Sequence, residues 1–386
     1  MSTIKTASPL RKAGSFLANN LVAVLFLILT IVSIPVSGFS ATYIVNEILS
    51  RIARNSFLVF SLILPIMAGM GINFGMVLGA MAGQIGLIFA MDWGISGIQG
   101  LVFASLIGTP ISIFLGWIAG SILNKARGRE MVTSYIIGFF FNGLYQFVVL
   151  YLFGSVIPMR NKAIYLSRGY GVRNTVDLSS VRQVLDNTLS FNIGPIHIPL
   201  LAYLVIGALC VFIIWFKKTK LGQDMRAVGQ DQVVSNTAGI AVEKTRVISI
   251  IISTVLACFG QIIFLQNMGN MSTYNAHDQT GFFAAAAILV GGATVTKATI
   301  PNCFIGVLLL HLMYIVVPRA GQNIFGDGNI GEYFRQFIGY GVIALSLVIH
   351  AWRTKRQAEH NRESLHMAAS GADSSSAAET AKGDAK

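Results

Sequence analysis

The chain changes character at residues 217–231, which read Lys217-Lys218-Thr219-Lys220-Leu221-Gly222-Gln223-Asp224-Met225-Arg226-Ala227-Val228-Gly229-Gln230-Asp231. This run opens a basic stretch that extends to Arg246, and a long apolar segment lies on each side of it. Most of the other residues before position 352 are apolar enough to lie in lipid. We therefore interpret the stretch as a polar loop between membrane helices and as a candidate docking surface.

The overall composition indicates which environment surrounds the protein, water or lipid. Hydrophobic residues make up 54% of it and charged residues only 11%, against about 25% charged residues in a soluble domain. The mean hydropathy is +0.67. A soluble core cannot enclose that much apolar surface, so much of the surface must face lipid.

About ten apolar segments are long enough to cross a membrane as a whole helix or as half of a broken one. We therefore predict an all-α polytopic membrane protein. Its transmembrane domain would cover residues 17–352, between an N-terminal segment of residues 1–16 and a partly disordered tail of residues 353–386. The predicted spans are Leu17–Val36, Phe57–Gly71, Gly75–Met91, Ile98–Leu123, Met131–Gly154, His197–Phe216, Val247–Gln266, Gly281–Val295, Ile300–Pro318 and Phe334–Trp352.

Charge predicts the orientation. With an even number of spans and the N-terminus inside, most Lys and Arg residues fall in the inner segments, which is the usual cytoplasmic bias. This places both termini and the loop of residues 217–246 in the cytoplasm, and a long loop of residues 155–196 outside. Arg51, Arg54 and the basic residues of that outer loop run against the pattern. Topology explains most of the net charge of +12 without a nucleic-acid partner.

Two stretches interrupt the helical pattern at comparable positions in the two halves. Residues 65–75 contain a proline and several glycines, and residues 288–297 contain Gly291-Gly292 and end before Pro301. Paired interruptions of this kind indicate a translocation path built from repeats. A plainer interpretation also stands, in which glycines spaced by four form a close helix-packing face. Those glycines are Gly71, Gly75, Gly79 and Gly83.

Polar side chains inside the predicted spans are few, and no carboxylate lies at the centre of one. Asp92 and Asp278 fall at span ends, and His311 is the ionisable group well inside a span. This argues against a proton- or sodium-driven carrier, which usually buries such groups. Four amides can hydrogen-bond a neutral solute on a translocation pathway, although each also suits an ordinary helix–helix bond. They are Asn73, Gln84, Asn142 and Gln146.

Catalytic motifs are absent from the sequence. It has no Gly-x-x-x-x-Gly-Lys-Ser/Thr phosphate loop, no His-Glu-x-x-His and no Gly-x-Ser-x-Gly. Cys210, Cys258 and Cys303 lie in apolar segments without disulfide or metal spacing. We therefore expect no catalytic residue, cofactor or metal site. If ATP drives the protein, another polypeptide hydrolyses it.

Three stretches resemble the permease family of bacterial ABC importers for ribose-type sugars, branched-chain amino acids and nucleosides. The first runs from Thr219 to Ile240, with an Arg226-Ala227 core and a closing Gly-Ile, like the cytoplasmic loop of that family. The second is the Ala-rich segment 284–292, and the third is segment 69–75. The similarity runs from about Phe57 to Trp352.

The resemblance implies a transport subunit with a cytoplasmic coupling helix, near Gly222 to Gly229, that sits in a groove of an ATPase. It implies separate ATP-binding subunits, an extracytoplasmic solute-binding protein, and a second permease subunit in a homo- or heterodimer. The location implied is the bacterial inner membrane. We expect Arg226 to pair with an acidic groove residue and Leu221, Met225 and Val228 to supply apolar contacts. The predicted coupling set is Leu221, Gly222, Met225, Arg226, Ala227, Val228 and Gly229.

The predicted cargo is a small polar solute. Asn73-Phe74-Gly75 replaces the Asp-Leu-Ser of sugar permeases, and segment 125–134, leading to Asn142, is closer to nucleoside-type members. Simple sugars come first as the broader class, nucleosides second and amino acids third. A secondary carrier or channel and a membrane enzyme are the alternatives outside this family. A secondary carrier or channel would transport its solute without a separate ATPase, which distinguishes it from an ABC permease. A membrane enzyme would need a group of catalytic residues, which this sequence lacks.

Overall fold

A computed structural model describes residues 21–327, 329–334, 336–337, 340–341, 344–345, 348 and 352. The predicted segments 1–16 and 353–386 and much of the predicted span Phe334–Trp352 lie outside the described residues. Contacts divide the chain into a unit of residues 1–342 and a unit of residues 343–386. The elements below belong to the first unit.

Helices dominate this unit. Among the residues that the structure describes, seven helical segments are long and apolar enough to cross a membrane: Ala41–Met67, Phe74–Asp92, Gly97–Lys125, Glu130–Leu152, Leu200–Lys218, Val242–Met268 and Ile300–Phe325. Two shorter apolar helices accompany them. The α-helices are α1 (Leu21–Ser37), α2 (Ala41–Phe60), α3 (Ile63–Met67), α4 (Val77–Asp92), α5 (Gly97–Lys125), α6 (Glu130–Phe147), α7 (Val184–Asn187), α8 (Leu200–Lys218), α9 (Lys220–Gln230), α10 (Gln232–Thr237), α11 (Val242–Met268), α12 (Thr280–Val290) and α13 (Ile300–Phe325).

The all-α membrane fold is confirmed, and nine of the predicted apolar segments correspond to helices. The main difference is α2, which begins at Ala41 rather than near Phe57. Ser40 caps it, since its side chain accepts a hydrogen bond from the Tyr43 amide at 3.3 Å. Arg51 therefore lies in a helix and not in a loop, paired with Glu47 at 2.8 Å. Hydropathy missed this half of α2 because it carries charges.

Close backbone contacts join α4 to its neighbours. A Cβ added at Gly79 would lie 2.0 Å from the Thr254 carbonyl oxygen, and one at Gly83 would lie 2.7 Å from the Cys258 oxygen. Only glycine allows α4 to approach α11 this closely. The predicted packing face is therefore present at these two positions. Gly71, at φ +70°, precedes the helix.

Short strands pair with one another in the segments that connect the long helices. Strand β1 (Thr175–Asp177) pairs antiparallel with β4 (Asn270–Ser272), and β2 (Ser190–Ile193) pairs with β3 (Ile196–Pro199). Asp92 also accepts hydrogen bonds from the backbone amides of Arg160 and Asn161 at 2.7 and 2.8 Å. The predicted outer loop is thus fixed against α4 and against the α11–α12 connection.

Candidate functional site

The first interruption of the helical pattern is a non-helical passage between α3 and α4. After Met67 the chain leaves the helix, and a short 3-10 turn, Phe74–Met76, leads into α4. Neighbouring helices accept hydrogen bonds from two of its polar groups, because Asn73 Nδ2 donates to Ser253 Oγ at 3.3 Å and the Phe74 amide donates to Ser134 Oγ at 3.2 Å. Broken backbone is tolerated at membrane depth under this condition.

The second interruption has a different environment. Asn302 Nδ2 donates to the Gly291 carbonyl at 2.6 Å, and a Cβ at Gly291 would lie 1.8 Å from the Asn302 carbonyl oxygen. This break is therefore a tight contact of α12 with α13. It is the opposite end of α12 that reaches the first break, since a Cβ on Gly281 would lie 3.4 Å from the Phe74 carbonyl oxygen.

A cavity of about 240 Å³ opens where the first break, α6 and the start of α12 meet. Its walls are largely aromatic. The rings of Tyr135 and Phe282 lie 5.2 Å apart in an edge-on arrangement, and the Phe282 ring lies 5.4 Å from that of Phe74. The other aromatic and polar lining residues are Phe139, Tyr340, Asn142, Asp278 and Gln279.

One chain of polar side chains runs from the protein interior to this cavity. His277 Nδ1 lies 2.9 Å from Gln84 Oε1, and His277 Nε2 lies 3.0 Å from Asn142 Oδ1. Asn142 Nδ2 donates to Asp278 Oδ1 at 3.0 Å, and Gln146 Nε2 donates to Asn142 Oδ1 at 3.3 Å. Gln84 and His277 are fully buried, so this network fixes the orientation of the cavity-lining residues.

The proton positions in this network follow from the number of donors. Burial lowers the pKa of His277 to about 4, so the neutral ring carries one N–H while each of its nitrogens faces an amide oxygen. Gln84 Nε2 has no partner among the described residues. Exchanging the oxygen and nitrogen of the Gln84 amide lets Nε2 donate to Nδ1. His277 Nε2–H then donates to Asn142.

Asp278 presents the free acceptor of the cavity. Its Oδ1 accepts from Asn142 and lies 3.3 Å from His277 Nε2, while Oδ2 has no hydrogen-bond partner among the described residues. Its side chain remains 42% exposed. Burial raises the pKa of Asp278, and the hydrogen bond from Asn142 opposes that shift. The cavity therefore combines aromatic faces with one oxygen that can accept a proton donor from a ligand.

The predicted pathway amides are only partly brought together. Gln84, Asn142 and Gln146 share the network, but only Asn142 lines the cavity, and Asn73 bonds Ser253 elsewhere. Their role in transport stays a prediction. His277 was missed, because it lies in the connection between two spans where hydropathy gives no signal. The adjacent His277-Asp278 pair beside a span end was the available indication.

The pH dependence of stability tests whether the pKa of the buried His277 is lowered. The folded-state pKa of His277 is below the usual 6.5, so the unfolded chain binds more protons between about pH 6.5 and 4. The free energy of unfolding should therefore fall as the pH drops through that window, by up to about 3 kcal/mol from this residue. In detergent, His277→Gln should flatten the pH dependence of the melting temperature. His197→Gln, in the β2–β3 hairpin, should keep the wild-type slope; identical slopes for all three proteins would contradict the assignment.

The polar loop forms the helix expected of it. Helix α9 spans Lys220–Gln230, and Thr219 caps it by accepting from the Gly222 amide at 3.2 Å. A Cβ at Gly222 would lie 2.1 Å from the Phe216 carbonyl oxygen, and one at Gly229 would lie 2.1 Å from that of Met67. These glycines let α9 lie directly against α8 and the end of α3.

The apolar side of α9 faces inward. Met225 and Val228 are 0% and 1% exposed, so both pack within this chain, and their role in coupling stays a prediction. Leu221 and Ala227 are half-buried, whereas Arg226 is exposed. The exposed apolar residues are instead on α10, where Val233 and Val234 are 75% and 62% exposed. Arg226, Val233 and Val234 together form an exposed surface, the candidate docking face.

A buried ion pair ties this loop to the cavity helix. Arg246, at the start of α11, is fully buried and pairs with Glu130, the first residue of α6. Its other terminal nitrogen donates to Gln232 Oε1 of α10 at 3.3 Å. Helix α6 also carries Tyr135 and Asn142 of the cavity wall, so one helix connects this ion pair with the cavity.

The chain matches one family model and is similar to several known proteins. The model of the branched-chain amino acid transport system permease component matches residues 22–349. A nucleoside ABC transporter permease of Lactococcus lactis is 26% identical over 66% of each chain. A ribose import permease of Escherichia coli is 22% identical over 88% of this chain and 94% of its own. A probable ABC transporter permease of Escherichia coli is 23% identical over 43% of this chain and 48% of its own. No solved structure matches.

Proposed function

Because the chain belongs to the branched-chain amino acid transport system permease component family, matched over residues 22–349, we propose that it is the membrane subunit of an ATP-driven importer. Cytoplasmic ATP-binding subunits would dock on Arg226, Val233 and Val234, and an extracytoplasmic binding protein would deliver the solute. A second permease subunit would complete the path. Several long apolar helices make the chain a multi-pass membrane protein; cytoplasmic termini belong to the proposal.

The aromatic cavity beside Asp278 carries the substrate assignment, which is a nucleoside. A nucleobase has two flat faces, and it stacks well on rings such as Phe282 and Tyr135. The free Asp278 Oδ2 can accept a hydrogen bond from a ribose hydroxyl. One relative is a nucleoside permease, which supports the same class.

A simple sugar, the class that the sequence placed first, is the second candidate. The ribose permease aligns over nearly its whole length, and Asp278 would accept a sugar hydroxyl equally well. The rings put the nucleoside ahead, because several aromatic side chains around about 240 Å³ give a planar base more contact than a small, hydroxylated sugar.

Uptake by the native host distinguishes the two classes. Cells lacking this gene should lose uptake of labelled uridine or adenosine and retain that of ribose, and the wild-type gene should restore it. Phe282→Ala should lower nucleoside uptake about tenfold through lost stacking. Tyr333→Ala, an exposed aromatic residue (69%) outside the cavity, is the control. Loss of ribose uptake alone would favour the sugar, and unchanged uptake of every solute would contradict both candidates.

A further inference from the structure

A second concave site lies on the flank of the helix bundle, apart from the aromatic cavity. It is a groove of about 990 Å³ between the last turns of α5 and the first turns of α11. It shares no lining residue with the aromatic cavity. Its walls come from two candidate membrane spans, so the groove opens where lipid would surround the protein.

The groove changes polarity along the helix axes. Lys125 ends α5, and Lys244 lies in the first turn of α11. Trp117 and Ile251 line the same groove and lie eight and seven residues deeper along these helices. At 1.5 Å per residue, the apolar walls extend about 12 and about 10 Å from the cations. A ligand that fills the groove is therefore amphipathic, with its polar end at the helix termini.

The polar end of the groove is positively charged. Arg127 pairs with Glu243 at 3.0 Å, which neutralises the single carboxylate that lines the groove. Lys125 and Lys244 are exposed and have no ion-pair partner within the described part of the chain. Two lysine charges thus remain available to an anion.

Close helix contact makes the groove a fixed feature. A Cβ at Gly116 would lie 3.0 Å from the Ile251 Cα, and one at Gly120 would lie 3.1 Å from the Val247 Cα. The two backbones touch along this line, and larger side chains stand on either side of it. Trp117, 54% exposed, forms one rim and is a residue typical of membrane interfaces.

We propose that this groove binds an anionic phospholipid. The phosphate diester sits between Lys125 and Lys244, with Arg127 beside it, and the upper acyl chain lies along Trp117 and Ile251. Basic pockets at the ends of transmembrane helices bind anionic headgroups in this way. A water-soluble partner is a poorer fit, because it would have to reach two helical turns into a membrane span. The proposal does not depend on the identity of the transported solute.

Lipid binding to the purified protein in detergent tests the site. Native mass spectrometry would measure the dissociation constant for phosphatidylglycerol, with phosphatidylcholine as the zwitterionic comparison of zero net charge. Lys125→Gln/Lys244→Gln should weaken phosphatidylglycerol binding roughly thirtyfold and weaken phosphatidylcholine binding much less, because its choline cation offsets the phosphate charge. Lys218→Gln/Lys220→Gln removes the same charge from exposed lysines outside the groove and should have little effect. Trp117→Ala should weaken phosphatidylglycerol binding but should not change the salt dependence of that binding.

Three outcomes would overturn the proposal. One is equal phosphatidylglycerol binding by the wild type and the double variant, with both melting at the same temperature. Another is displacement of the lipid by inorganic phosphate alone at similar concentrations, since the site would then recognise an anion and not a lipid. The third is a change from dimer to monomer in the double variant with lipid binding intact, which would make the groove an interface between copies.

Discussion

Glu130→Ala lowers the free energy of unfolding by about 3–5 kcal/mol, because it leaves the Arg246 cation buried without its carboxylate. The Arg246 side chain is 0% exposed and that of Glu130 is 12% exposed, so water cannot replace the lost partner. Thermal unfolding in detergent would measure the change.

A second ion pair in the same region provides the matched control. Arg127 and Glu243 have side chains that are 55% and 73% exposed, and Glu243→Ala should cost no more than about 1 kcal/mol. Glu130→Ala/Arg246→Met should regain much of the lost stability, because it removes the unpaired charge. Equal melting temperatures for Glu130→Ala and Glu243→Ala would show that burial of Arg246 does not determine the stability.

Arg226→Glu should reduce ATP-dependent uptake at least about tenfold while the amount of protein in the membrane stays unchanged. Arg226 is exposed on the candidate docking face, so reversing its charge would place like charges together at the acidic groove that we propose on the ATPase. Uptake by complemented cells and stimulation of ATP hydrolysis in the purified complex would both be measured. Val233→Ser/Val234→Ser, at the exposed apolar part of the same face, should act in the same direction.

Two variants separate docking from folding. Arg319→Glu makes the same charge change at an exposed position of α13, outside the docking face, and should preserve uptake. Met225→Ala removes a side chain that is 0% exposed and should lower the melting temperature. Normal ATPase stimulation by Arg226→Glu would refute the docking assignment.

The sequence predicted α9 well because its signals are local. Thr219 suits a helix cap, and the segment up to Gly229 has the apolar spacing of one amphipathic helix. The direction of the apolar stripe is not a local property. Met225 and Val228 fit either a partner groove or the chain's own bundle, and only the contact with α3 and α11 decides for the bundle.

The candidate site was less predictable for the same reason. Asn142 was chosen as a polar residue within an apolar span, which is a local signal. His277 joins it from 135 positions away in the sequence, and no spacing rule connects the two. The start of α2 was missed for a different reason. Its charged half pairs Glu47 with Arg51 along one helix face, whereas hydropathy averages the charges over all faces.

The ion pair of Glu130 with Arg246 attaches the first residue of α6 to the start of α11. Asn142 lies twelve residues above Glu130, about 18 Å along the axis at 1.5 Å per residue. If the pair serves as a pivot, a tilt of about 5° displaces Asn142 by about 1.6 Å, enough to break or form one hydrogen bond. A tilt of this size would break the hydrogen bond from Asn142 to Asp278 without any rearrangement inside the helix itself.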